Sequence, residues 1–108
     1  MALEVALRVT AFGKVDQRLL DQLRHDLDLK SAGRLTDEED STMGQRLDDL
    51  GEGDTVWRSL SRSSPETWTF WVSYGGRPPA SELIDRYRAE AVGAFQRAGL
   101  VINREWRQ

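Results

Sequence analysis

The chain has no cysteine and a single histidine, His25, in 108 residues. The first absence excludes disulfides, thiolate metal sites and thiol nucleophiles, and it fits a reducing compartment. The second leaves no partner imidazole for a zinc site. Long apolar runs are also missing. Nothing approaches the ~18 residues of a membrane span. The opening MALEVALRVTAF is interrupted by Glu4 and Arg8 and lacks the apolar core of a signal peptide. A soluble, cytoplasmic protein is expected. Lysine is scarce, with two residues against thirteen arginines. With abundant alanine and glycine, that balance is what a GC-rich bacterial coding sequence gives, so the arginine count alone signals no binding role.

What is present is charge of unequal distribution. The net charge is −3, yet residues 1–54 hold seven Lys or Arg against thirteen Asp or Glu, and residues 55–108 hold eight against five. An acidic chain is poorly suited to non-specific contact with a phosphate backbone. The split suggests two surfaces of opposite sign, suited to self-association or to a charged partner, although one acidic loop would give the same totals. The length is that of one domain, 1–108, large enough to bury a core without staples.

Residues 3–11 alternate, with Leu3, Val5, Leu7, Val9 and Ala11 on one side, and read as a half-buried strand. Asp16 looks like the N-cap of a helix over 16–28, where Leu19, Leu20, Leu23 and Leu27 recur at helical spacing. Residues 30–54 are acidic and poor in large side chains, and suggest a partly mobile insertion. Within it Thr36 and Glu39 make a capping-box pattern, and Met43, Leu47 and Leu50 predict a short helix near 37–50. Residues 55–62 and 67–74 read as a hairpin turning at Pro65. Ser81 is a plausible N-cap for a helix over about 80–98, closed by Gly99, and 101–107 forms a last strand. The order matches the split βαβ arrangement. It predicts an α+β, ferredoxin-like sandwich: a four-stranded antiparallel sheet, two main helices on one face, and an extra short helix in the 30–54 insertion.

Motifs with catalytic chemistry are lacking. His25 sits beside Asp21 and Asp26 on a polar helix face, where a solvated surface role is the ordinary one. The acidic runs Asp37-Glu38-Glu39-Asp40 and Asp48-Asp49 with Glu52 and Asp54 lack calcium-loop spacing. The serines near 59–64 have no nucleophile-elbow context, and YGGRPP lacks the Gly-Lys-Ser/Thr ending of a phosphate loop. No catalytic residue, metal or cofactor is assigned.

The candidate site is instead a surface. If Trp68, Phe70, Val72 and Tyr74 face the core, Thr69 and Trp71 face the other way, and Trp57 and Arg8 share that side. Arg77, beside two prolines, could form a rigid presenting loop. The stretch Phe70–Tyr74, FWVSY, resembles the end of the third-strand signature of the RNA recognition motif, whose exposed aromatics stack bases. That resemblance covers five residues and puts Trp71 at a stacking position. The other stacking position holds Thr69, the first strand offers Arg8 where an aromatic is expected, and the leading basic-Gly pair is absent.

Three functions follow as expectations. The first is a non-catalytic interaction domain of immunity, antitoxin or adaptor type. It would bind a protein partner or itself, as a homodimer, through the uncovered sheet face carrying Trp57, Trp71, Thr69 and Arg8, with Arg77 beside it. The second is a small-ligand or cofactor-free enzyme domain of dimeric ferredoxin-like type. The third is binding of single-stranded nucleic acid.

Overall fold

The computed structural model describes residues 3–31 and 41–108. The chain runs β1 (Glu4–Phe12), α1 (Gln17–Asp26), β2 (Lys30–Ser31), β3 (Ser41–Gly51), β4 (Asp54–Ser64), β5 (Thr67–Gly75), α2 (Ser81–Arg97) and β6 (Val101–Arg107). The strands form one sheet in the order β2-β3-β4-β5-β1-β6, and every pair is antiparallel.

This corrects the expected architecture. The protein is a six-stranded antiparallel sheet with two helices, not a four-stranded ferredoxin-like sandwich. The difference lies in the acidic segment. Residues 41–51 are an eleven-residue strand laddered to β4, where a helix was expected. The Thr36–Glu39 capping box and the acidic run Asp37–Asp40 lie outside the described residues. The spacing of Met43, Leu47 and Leu50 misled because it does not mark a core stripe. Met43 is buried, but Leu47 and Leu50 are more than half exposed. The decisive local signal is the turn Gly51-Glu52-Gly53-Asp54. Gly51 pairs with Asp54, and the two central residues have φ of 55° and 80°. Positive φ at both positions is the type I′ geometry that closes a two-residue hairpin with the right twist.

Both helices end as their sequences allow. Asp16 caps α1 by accepting from the Leu19 N–H at 2.8 Å. Asp28, at φ 54°, follows the α1 C-cap, and the Leu29 N–H returns to the Arg24 carbonyl. Gly99, at φ 81°, does the same for α2, with Leu100 N–H donating to Phe95. Ser81 is not the cap. It is the first helical residue, and Ala80 before it makes no side-chain cap.

The core joins the inner row of the sheet to the helix stripes. Leu7, Val9 and Ala11 on β1 pair with Val72, Phe70 and Trp68 on β5. They pack in one cluster with Leu20, Leu23 and Leu27 of α1 and Ile84, Tyr87, Ala91, Ala94 and Phe95 of α2. Along β4 the inner row alternates Val56, Arg58, Leu60 and Arg62, all buried. Arg58 Nη2 donates to Asp48 at 2.9 Å and its Nη1 to the Leu27 carbonyl at 3.3 Å. Its guanidinium lies 5.0 Å from the Tyr87 ring centre. Arg46 Nε also donates to Asp48, and Arg46 Nη1 donates to Asp28. Burial pushes the Asp48 carboxyl up, but the hydrogen bonds from Arg46 and Arg58 outweigh it and hold it below the usual carboxylate range. β3 therefore turns Arg46 and Asp48 inward and Leu47 outward.

Candidate functional site

The register fixes what stands on the outer face. One row crosses all six strands: Lys30, Gln45, Ser59, Trp71, Arg8 and Trp106 are successive cross-strand partners. Directly opposed residues in an antiparallel pair share a face, so these six form a continuous line. On one side of it Leu47, Trp57 and Ser73 are paired in turn. On the other side run Ser61, Thr69, Thr10 and Arg104, then Thr67, Phe12 and Val101.

This face leaves large apolar groups in water. Phe12, Leu47, Trp57, Val101 and Trp106 are all exposed, from 38% for Trp57 to 68% for Val101. Trp71 in the middle is half-buried, with the Arg8 guanidinium 5.5 Å from its ring centre. Stacking of this kind is worth about 0.5–1 kcal/mol at an exposed site. Thr69 is buried beneath the surface row, and its hydroxyl meets that of Thr10 at 3.3 Å. The helices lie elsewhere. Glu105 and Arg107, on the opposite side of β6 from Trp106, pair with Arg88 and Asp85 of α2.

Three depressions mark the face. One of about 420 Å³ is lined by Arg8, Thr10, Phe12, Thr69, Trp71 and Arg104, among others. A second, of about 270 Å³, lies between Trp57 and Trp71, with Leu3 and three serines. The third, about 540 Å³, lies at the β2–β3 end beside Leu47 and Trp57. The Arg8 Nε is buried without a hydrogen-bond partner. An unsatisfied buried donor costs about 1–3 kcal/mol.

Of the five residues singled out from the sequence, the structure brings four together: Arg8, Thr69 and Trp71 in neighbouring rows, and Trp57 across Ser73. Arg77 does not join them. Its backbone N–H and Nε bind Asp54, and its Nη2 binds Glu52. The backbone and side-chain bonds from Arg77 hold the Asp54 carboxyl below its ordinary range. The acidic residues 48–54 are likewise engaged: Asp48 by Arg46 and Arg58, and Asp49 by the Gly51 N–H. His25 is exposed on α1.

Sequence reasoning missed Phe12, Leu47, Val101, Arg104 and Trp106. Trp106 reaches the outer face through a register shift in β6 between the partners of Thr10 and Ala11. Leu47 does so through the outward phase of β3. No protein family, curated protein or solved structure matches this chain. No helix among the described residues is long and apolar enough to cross a membrane.

Proposed function

We propose that this protein is a non-catalytic interaction domain that binds a protein partner through the open face of its sheet. The supporting observation is the gathering of Phe12, Leu47, Trp57, Val101 and Trp106, from four strands, exposed on one face. Single exposed apolar residues are ordinary, whereas contiguous ones mark interaction surfaces. The dimensions suit the role. Five interstrand spacings and a strand of seven residues span about 24 Å each way, or roughly 600 Å² in projection. That is the order of the ~800 Å² each partner contributes to a standard interface. Tryptophan is enriched among the residues that dominate binding energy.

The test is affinity capture from the native host with wild-type protein and with Trp57→Ala/Trp106→Ala, followed by titration of the captured protein. The double variant should keep its fold by circular dichroism and lose about 2 kcal/mol or more of affinity, roughly thirtyfold. Unchanged affinity in a folded double variant would refute the reading. Sedimentation of the wild type alone shows whether a second copy takes the place of the partner.

A further inference from the structure

We infer that the open face recognises an acidic segment of its partner, and that Arg8 and Arg104, with the hydroxyls of Thr10 and Thr69, hold one carboxylate of that segment. The inference rests on the open face being the binding surface.

Most of the described arginines hold a carboxylate; Arg18, on α1, is an exception away from the open face. Away from the open face, Arg46 and Arg58 hold Asp48, Arg97 holds Asp26, Arg88 holds Glu105 and Arg107 holds Asp85. On the open face, Arg8 and Arg104 meet no carboxylate and no hydrogen-bond acceptor among the described residues, and the Arg8 guanidinium lies against the Trp71 ring. The two stand in adjacent rows of neighbouring strands, since Arg8 opposes Trp106 and Thr10 opposes Arg104. They share a depression of about 420 Å³ with hydroxyl and aromatic side chains and no acidic one. Lys30 adds a third cation at the far end of the same row. Among the described strand residues of this face, Asp49 is the one acid. It lies at the far end of β3, where it accepts from the Gly51 N–H.

The chain is thus acidic overall and, among the described residues, basic on this face, which selects the occupant. A symmetric face-to-face dimer sets the same surface against itself. Among the described residues that would bring cations to cations, with Asp49 at the far end of β3 as the one acid, so a second copy is disfavoured. A polyphosphate strand would meet a local pair of arginines but also the field of a chain with net charge −3. A polypeptide carboxylate asks only for the local pair. Stacking on Trp71 fixes the plane of the Arg8 guanidinium, and a fixed planar fork is what bidentate carboxylate recognition requires. In the Thr10–Thr69 hydroxyl pair one group donates to the other, which leaves one further donor, and Phe12, Trp71 and Trp106 supply apolar surface beside the anchor.

The experiment uses a random peptide library displayed on phage, selected on the wild-type protein. The peptides recovered should be enriched in Asp and Glu, and their binding should weaken with added salt. The best of them should lose tenfold or more in Kd on Arg8→Gln/Arg104→Gln, with Arg8→Lys losing less. Acid-poor peptides whose binding the arginine variants leave unchanged would overturn the proposal. If those same peptides are lost on Trp57→Ala/Trp106→Ala, the open face still binds and the acidic anchor alone falls. If no peptide is selected, or if the tryptophan variants bind every peptide as the wild type does, the interaction reading falls as well. Tighter binding of an oligothymidylate than of the best acidic peptide would assign the arginines to phosphate and overturn the carboxylate proposal.

Discussion

The Asp48–Arg58 pair gives the sharpest test of how the sheet is held together. The Arg58 side chain is 7% exposed and that of Asp48 28%. In Asp48→Ala, Arg58 keeps the Leu27 carbonyl at 3.3 Å and the Tyr87 ring, but its positive charge loses its one carboxylate among the described residues. Breaking a fully buried pair costs about 3–5 kcal/mol. Because Asp48 is partly solvated and Arg46 can rehydrate, about 2–3 kcal/mol is expected here. Asp48→Asn keeps an acceptor and should lose about 1–2 kcal/mol. Replacing both partners, as Asp48→Leu/Arg58→Met, removes the stranded charge and should cost less than Asp48→Ala alone. The pH dependence has a definite sign. The folded-state pKa of Asp48 lies below its unfolded value, so the unfolded chain binds more protons and stability rises with pH. The contribution is complete above the ordinary carboxylate value of about 3.9 and is lost as pH falls through the folded value. Urea unfolding followed by tryptophan fluorescence, at neutral pH and in acid, measures all of this. The reasoning fails if Asp48→Asn unfolds with the wild type at neutral pH, or if both lose stability equally on acidification.

Two backbone positions and one turn residue give further checks, each by chemical denaturation. Gly53, at φ 80°, has open space around a built Cβ, so Gly53→Ala should cost only the left-handed backbone penalty of about 1–2 kcal/mol. Gly76 has nearly the same φ, but a Cβ there would meet Asp54 Oδ1 and the Gly53 carbonyl oxygen at 2.9 Å. Gly76→Ala should therefore cost clearly more than Gly53→Ala, and equal losses would show that the β5–α2 loop gives way easily. Glu52 occupies the first central position of the I′ turn at φ 55°, where Asn is favoured. Its ion pair with Arg77 is exposed on both sides and worth about 0–1 kcal/mol. Glu52→Asn should thus be neutral or slightly stabilising, and a large loss would count against the turn assignment.

The parts legible in the sequence are those in which one residue pattern has one physical outcome. Alternation in residues 7–11 and 67–74 marks strands whose inner rows are Leu7, Val9, Phe70 and Val72, and Asp16 and Gly99 mark helix ends. The pattern also predicts Leu3 and Val5 in the same row, but the register shift at Ala6 turns Val5 to the open face, and Leu3 lines a depression there. Trp57, Trp71, Thr69 and Arg8 follow from the same alternation. The rest depended on phase. In β6, Val101 and Trp106 are five residues apart and would lie on opposite faces of a regular strand. The register shift that leaves Asn103 unpaired brings both to the open face. Nothing in VINREWR states that shift. In β3 the alternation is present but inverted, with Arg46 and Asp48 inside and Leu47 outside, so a search for an apolar inner row finds none. The segment then reads as helix by default, because Met43, Leu47 and Leu50 happen to fall at helical spacing.

That inversion bears on function. A slip of β3 by one residue would turn Leu47 toward the core and Arg46 and Asp48 toward water, because the side-chain period is two. Burying a leucine is worth about 1.5–3 kcal/mol, and the slip would relieve Asp48 of desolvation. Regular pairing from the I′ turn at Glu52-Gly53 would set Leu47 against Arg58, and the register shift that leaves Leu50 unpaired, between Asp49 and Gly51, holds the opposite phase. Trp57 on β4 and Trp106 on β6 show the same outward apolar choice. A face that stayed in water would gain nothing from Leu47, Trp57 and Trp106 turned outward together, and each leaves burial energy unused. A partner seated on that face recovers it at all three positions at once. On the proposed reading, the outward leucine, the two outward tryptophans and the two open-face arginines share one cause.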